Sequence, residues 1–184
     1  FIIGKKHGIT KQEAVEIVTQ LAFYAGWPKA WSAFALIKEV YGDEETPEEH
    51  GGVFGLGEPN VNFAQYFVGN SYLKPLTNPK ETVFMANVTF EPRCRNNWHI
   101  HHATKGGGQI LVCVDGEGWY QEEGKEAISL KPGMVITIPA EVKHWHGAKK
   151  DSWFSHIAIE VPGENTSNEW CEEVSDEEYN KLVI

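Results

Sequence analysis

Trp98-His99-Ile100-His101-His102-Ala103-Thr104-Lys105-Gly106-Gly107-Gly108-Gln109 is the stretch on which the fold turns. His99 and His101 are separated by one residue, so on a strand both imidazoles project from the same face. Two nitrogen donors side by side are half of a metal site, although an isolated H-x-H reads first as two surface histidines. Context reverses that reading. Downstream, five residues separate Gly133 from Pro139, and His144 lies five positions further on, where the next strand of a meander returns. Gly133 suits a tight turn, Pro139 ends a strand where its missing N–H is not needed, and His144 supplies a third nitrogen.

Around this stretch the chain reads as short strands. Thr82 to Phe90, Gln109 to Val114, Trp119 to Gln121, Ala127 to Leu130, Met134 to Ile138 and Trp153 to Val161 are rich in β-branched and aromatic residues. Asp115-Gly116-Glu117-Gly118, Glu123-Gly124 and Lys131-Pro132-Gly133 carry turn chemistry between them. Strands at this spacing, with no helices between them, imply an antiparallel sandwich or barrel.

The two histidine segments resemble the motifs of the cupin superfamily. Its first motif is Gly, five residues, H-x-H, three or four residues, Glu, six residues and Gly. Its second is Gly, five residues, Pro-x-Gly, two residues and His, then Asn after three more. The match here is His99, His101, Gln109 and Gly116 in the first motif, and Gly133, Pro139 and His144 in the second. Three departures stand out: Gln109 replaces Glu, seven residues separate it from His101, and Glu141 stands where the second motif has its glycine. Counting back from Gly116 puts Gln109 in the register of the fourth ligand, and Thr104 to Gly108 then read as a loop inserted at the barrel mouth. The resemblance implies a mainly β, double-stranded β-helix (jelly-roll) barrel. It also implies one divalent metal, Zn, Mn, Fe or Ni, held by His99, His101, Gln109 and His144.

Upstream the pattern is helical. Thr10 with Glu13 forms a capping box, Val15, Val18 and Ala22 give an apolar face, and Gly26 with Pro28 is expected to end the helix. A second helix is expected through Trp31, Phe34, Ile37 and Tyr41 to Gly42. The pair would have to pack on the barrel or on another chain to cover both apolar faces. The run from Gly8 through Ala22-Phe23-Tyr24-Ala25-Gly26-Trp27-Pro28-Lys29-Ala30 resembles the C-terminal part of the carboxymuconolactone decarboxylase family. The CxxC pair of its hydroperoxidase members is absent, so no catalytic residue is carried over. The expected organisation is a helical hairpin over 1–42, an acidic linker over 43–52, a barrel over 53–163 and an acidic tail over 164–184, with a short helix capped by Ser175 and Glu178.

Composition excludes several functions. The 184 residues carry a formal charge of -10, concentrated in Asp43 to Glu49 and beyond Glu164. No basic stripe exists to follow phosphates, so nucleic acid is not an expected partner. Three scattered cysteines, Cys94, Cys113 and Cys171, do not make a disulfide framework. There is no apolar run of membrane-spanning length and no visible signal peptide, so a cytoplasmic location is expected. The chain opens at Phe1 rather than Met, and a preceding segment is expected.

His146 shares a face with His144 at i and i+2, and with His156 on the last strand it is a candidate acid or base. His102 reads as a mouth residue. The aromatic segment Asn62 to Leu76 is too apolar for a solvent loop and suits pairing with a neighbouring subunit, so a homodimer is expected. The expected function is metal-dependent chemistry on a small oxygenated compound, such as a sugar acid, keto acid or lactone, with carbonyl or enediol polarisation and proton transfer by histidine. An iron-dependent dioxygenase and a non-catalytic module that binds a small ligand are the alternatives.

Overall fold

The computed structural model describes residues 1–42 and 49–182, and the chain divides between residues 46 and 47 into two compact units. The first holds α1 (Ile2–Lys6), α2 (Lys11–Ala25) and α3 (Trp27–Tyr41). α2 begins at the expected capping box: the Thr10 hydroxyl accepts from the Glu13 amide at 3.2 Å, and the Glu13 carboxylate accepts from the Thr10 amide at 2.9 Å. Pro28 does not lie beyond a helix end. It sits in the first turn of α3, where an N–H has no helical partner in any case, while Gly26 at φ +85 makes the corner. The two long helices bury Ala14, Val18, Ala22, Ala30, Ile37 and Tyr41 together. Ile17, Leu21, Phe23, Tyr24, Trp27 and Trp31 remain exposed.

The second unit is built from β1 (Glu58–Pro59), β2 (Phe67–Val68), β3 (Ser71–Pro75), β4 (Met85–Phe90), β5 (Arg95–Asn96), β6 (His99–His102), β7 (Lys105–Gly106) and β8 (Gln109–Gly116). It continues with β9 (Gly118–Glu122), β10 (Ile128–Leu130), β11 (Val135–Ile138), β12 (His144–Ala148), β13 (Phe154–Glu160), β14 (Gly163–Glu164), β15 (Ser167–Trp170) and α4 (Asp176–Asn180). One sheet runs β1-β3-β4-β13-β8-β11. The other runs β10-β9-β12-β5-β2, with β6 joining β12 to β15. Between them lie Val88, Phe90, Leu111, Cys113, Tyr120, Leu130, Ile138 and Phe154, as alternation on each strand requires. This is the expected jelly-roll. No helix among the described residues is long and apolar enough to cross a membrane.

Three expectations are corrected. Of the tail expected over 164–184, the described residues 164–182 are not solvated throughout: β15 pairs antiparallel with β6, and Val174 and Tyr179 are wholly buried beside Trp98 and Trp145. Arg95, also buried, fastens this segment by donating to the Val174 carbonyl at 2.9 and 2.8 Å and to Asp176 at 2.7 Å, with the Tyr179 ring 4.7 Å away. The linker expected over 43–52 falls mostly outside the described residues. Its end is part of the barrel unit, because His50 stacks on Trp153 at 4.3 Å and Asn87 donates to the Gly51 carbonyl. Finally, the aromatic segment 62–76 pairs with its own chain: β2 with β5, and β3 with β4.

Candidate metal centre

Strand alternation aims His99 and His101 of β6 inward while Ile100 and His102 lie toward the other side. β12 runs antiparallel beside β6, with His144 directly opposite His99. The three side chains are buried, and each offers a nitrogen such that all three lie within 4.8 Å of one another. Each ring has its Nδ1 committed. His99 donates to the Asn97 carbonyl at 2.9 Å, His144 to the Val142 carbonyl at 2.8 Å, and His101 to Asn168 Oδ1 at 2.9 Å. Carbonyl oxygens only accept, so each Nδ1 carries the proton and each Nε2 keeps its lone pair. The Nε2 atoms of His101 and His144 are buried with no hydrogen-bond partner.

Burial disfavours charge on these rings. It pushes His144 down to about 4 and, helped by neighbouring His144 and His101, holds His99 well below the ordinary histidine range. Neutral imidazoles with free lone pairs around one point are what a dipositive ion needs.

Gln109 opens β8 opposite Glu160 of β13. Its amide Nε2 donates to Glu160 Oε1 at 3.0 Å, and its Oε1 is buried without a partner. The other carboxylate oxygen of Glu160 lies 3.2 Å from His101 Nδ1. Burial raises the acid's pKa, but the bonds from His101 and Gln109 outweigh it and leave Glu160 below the usual range. Glu160 thus bridges Gln109 and His101 and leaves Gln109 with a bare carbonyl oxygen, a group that can serve as a fourth ligand. The glycines before it allow this approach: Gly108 is at φ +91, and a Cβ there would lie 2.2 Å from the Ile138 carbonyl.

Glu141, in the place of the motif glycine, is at φ +67, a conformation a side chain adopts at a cost. Its carboxylate accepts from the Ala103 amide at 2.9 Å and from His102 Nδ1 at 2.7 Å, while His102 Nε2 lies 2.7 Å from Glu169. Flanked by two carboxylates, half-buried His102 has a raised pKa. It ties β6 to β15 and to the turn before β12, pointing away from the buried rings.

His146 and His156 are brought together. His146 Nδ1 lies 3.1 Å from His156 Nε2, and both rings are at most 4% exposed. Asn96 Oδ1 accepts from the His146 amide at 2.9 Å, which turns the Asn96 Nδ2 donor toward the ring, 3.0 Å from Nε2. Burial, reinforced by the neighbouring His156, keeps His146 well below the ordinary range, and burial pushes His156 down to about 4. The His146 ring lies 6.1 Å from that of His144 and 5.5 Å from that of His99, centre to centre.

Sequence reasoning missed Asn96, Glu160, Asn168 and Trp170, whose ring packs 4.9 Å from His99 and stacks on Tyr66 at 4.5 Å. A cavity of about 410 Å³ adjoins the centre, lined by Phe84, His101, Gly108, Glu160, Pro162 and Asn168 among others.

A double-sheet jelly-roll with three convergent histidines on two neighbouring strands defines a barrel protein with a potential metal centre. The chain belongs to the cupin family. Residues 86–159 match the Cupin domain model, and residues 3–39 match that of the Carboxymuconolactone decarboxylase family. The chain is 35% identical over 120 residues to an (R)-mandelonitrile lyase of Granulicella tundricola, covering 64% of this chain and 88% of the relative. It is 36% identical to a cupin-like protein of Thermotoga maritima whose crystal structure superposes with a TM-score of 0.61, covering 70% of this chain and 95% of the other. A cupin 2 conserved barrel domain protein of Rhodopseudomonas palustris shares the fold at 12% identity, with a TM-score of 0.51 over 68% of this chain and 81% of that one.

Proposed function

We propose that the protein is a metal-dependent lyase that cleaves a small 2-hydroxynitrile into an aldehyde and hydrogen cyanide. The observation that carries this reading is the group of three buried imidazoles, His99, His101 and His144, whose donor atoms lie within 4.8 Å of one another, the Nε2 atoms of His101 and His144 having no hydrogen-bond partner. The name of the Granulicella relative, (R)-mandelonitrile lyase, supports the substrate class, since mandelonitrile is the cyanohydrin of benzaldehyde. A 2-hydroxynitrile takes the place of the sugar acid, keto acid or lactone expected from the sequence.

His99, His101, Gln109 and His144 would hold one Zn, Mn, Fe or Ni ion, as nitrogen and oxygen donors do not discriminate among these. When bound, the ion supplies Lewis acidity that makes a substrate hydroxyl easier to deprotonate. The cavity of about 410 Å³ is of a size that holds a small ligand. His146 and His156 are the acid–base pair. Burial keeps both neutral and makes them weak bases, so a proton accepted at His146 is readily given back. The hydroxyl replaces the Asn96 amide as the donor to His146 Nε2 and gives up its proton there. The C–C bond to the cyano carbon then breaks, the carbonyl forms, and cyanide leaves with the bonding pair. Protonation of cyanide by the imidazolium returns the histidine to its neutral state.

The test is benzaldehyde release from (R)-mandelonitrile by protein loaded separately with each of the four metals. Turnover is expected in at least one form and is expected to vanish on chelation. Saturable binding without turnover in every form would refute the lyase reading in favour of a ligand-binding module.

A further inference from the structure

The cupin pattern has a glutamate where this chain has Gln109, and the lost carboxylate has a counterpart close by. Glu160 sits across the β8–β13 pairing from Gln109, 51 residues away in sequence. One of its oxygens accepts from the Gln109 amide at 3.0 Å, and the other lies 3.2 Å from His101 Nδ1, which also donates to Asn168. A carboxylate only accepts hydrogen bonds, so it determines which end of the Gln109 amide faces it. The NH₂ turns to Glu160, and the carbonyl oxygen turns away, buried and without a partner.

We propose that Glu160 is a positioning residue of the metal centre. It orients Gln109 as an oxygen ligand and supplies, from behind two ligands, the negative charge that the cupin pattern places on the fourth ligand itself. Three neutral imidazoles and a neutral amide leave the full charge of a dipositive ion in a buried site, and one adjacent carboxylate halves it. The inference rests on the four-ligand reading above.

The hydrogen-bond logic makes a distinctive prediction. In Glu160→Gln the new side chain presents one oxygen and one NH₂ where two acceptors stood, so an N–H faces an N–H at either His101 or Gln109 and one of the two side chains must turn. In Gln109→Glu two carboxylates confront each other. The double exchange Gln109→Glu with Glu160→Gln satisfies everything: the new amide donates to the new carboxylate, and its oxygen accepts from His101.

The experiment is calorimetric titration of metal-stripped full-length chain with Mn²⁺ and with Zn²⁺, alongside electron paramagnetic resonance of the bound Mn²⁺. Glu160→Gln should bind about 10-fold or more weakly than the unaltered chain, and the double exchange should return to within about threefold of it. The Mn²⁺ spectrum should change in Glu160→Gln and recover in the exchange. Because the double exchange contains both substitutions, its recovery rules out misfolding as the cause of the losses. Affinity in Glu160→Gln within twofold of the unaltered chain, or a double exchange no tighter than the weaker single variant, overturns the role of Glu160 and leaves the metal centre standing. An unaltered chain that takes up neither ion overturns the four-ligand reading, and this inference with it.

Discussion

Acid should destabilise the metal-free protein in a way that can be traced to His156. The ring is fully buried, and burial pushes its pKa from the ordinary 6.5 down to about 4. Between these values the unfolded chain binds a proton that the folded chain refuses, so stability falls as pH drops from about 6.5 toward 4 and is unaffected above that window. At pH 4.5 the unfolded histidine is almost fully protonated and the folded one mostly neutral, a difference of about 2.5 kcal/mol from this residue alone. His156→Gln removes the titration yet leaves an oxygen that can accept from His146 Nδ1. Urea unfolding of both proteins in chelator, at pH 7.5 and at pH 4.5, measures the effect. The unaltered chain should lose about 2.5 kcal/mol more between the two conditions than the variant does, whatever the variant costs at pH 7.5. Equal losses in the two proteins would refute the reasoning and mean that His156 meets water or a charge partner in the folded state.

Other outcomes follow from the same geometry. His144→Ala should lose metal and turnover together, whereas His146→Ala should keep the metal while its rate falls about 100-fold, the usual worth of a positioned acid or base; elemental analysis beside the benzaldehyde assay separates the two. Arg95→Met leaves the Val174 carbonyl buried without its donor and should cost about 2–4 kcal/mol in urea unfolding. The same variant should weaken Mn²⁺ binding, because the segment Arg95 fastens leads back to Asn168 and Trp170. Light scattering at micromolar concentration should give twice the 20.7 kDa of the chain if the exposed apolar side chains of α2 and α3 carry the expected homodimer; a 20.7 kDa particle rejects it.

The barrel and its three histidines were legible because the signals are local. Alternation in His99-Ile100-His101, the turn at Gly133 and the stop at Pro139 each act within a few residues, and six expected strands reappear with ends shifted by a few positions. Gln109 was singled out by counting from Gly116, and it does open β8, since strand register preserves spacing even where a loop is inserted. Glu160, Asn168 and Asn96 were not legible. Each meets its partner across a strand pairing 50 or more residues away, and nothing near them in sequence marks that pairing. The segment Ser167-Asn168-Glu169-Trp170 looked like solvated tail because an edge strand can be polar and mostly exposed, and its ladder to β6 is made by backbone that carries no side-chain signature. Pro28 was misplaced for a related reason: a proline marks a helix boundary without saying on which side of it the helix lies.

Trp170 gives the centre a built-in optical reporter. Its indole centre lies 4.9 Å from that of the His99 ring, and Tyr66 stacks on the same indole. An excited indole at that range is quenched by a paramagnetic ion on the imidazole and little affected by zinc. Occupancy of the site, and the choice between metals of open and closed d shell, would therefore register in the emission of one side chain, with no substrate present and no turnover required. Comparison with Trp170→Phe isolates that emission from the light of the other six tryptophans.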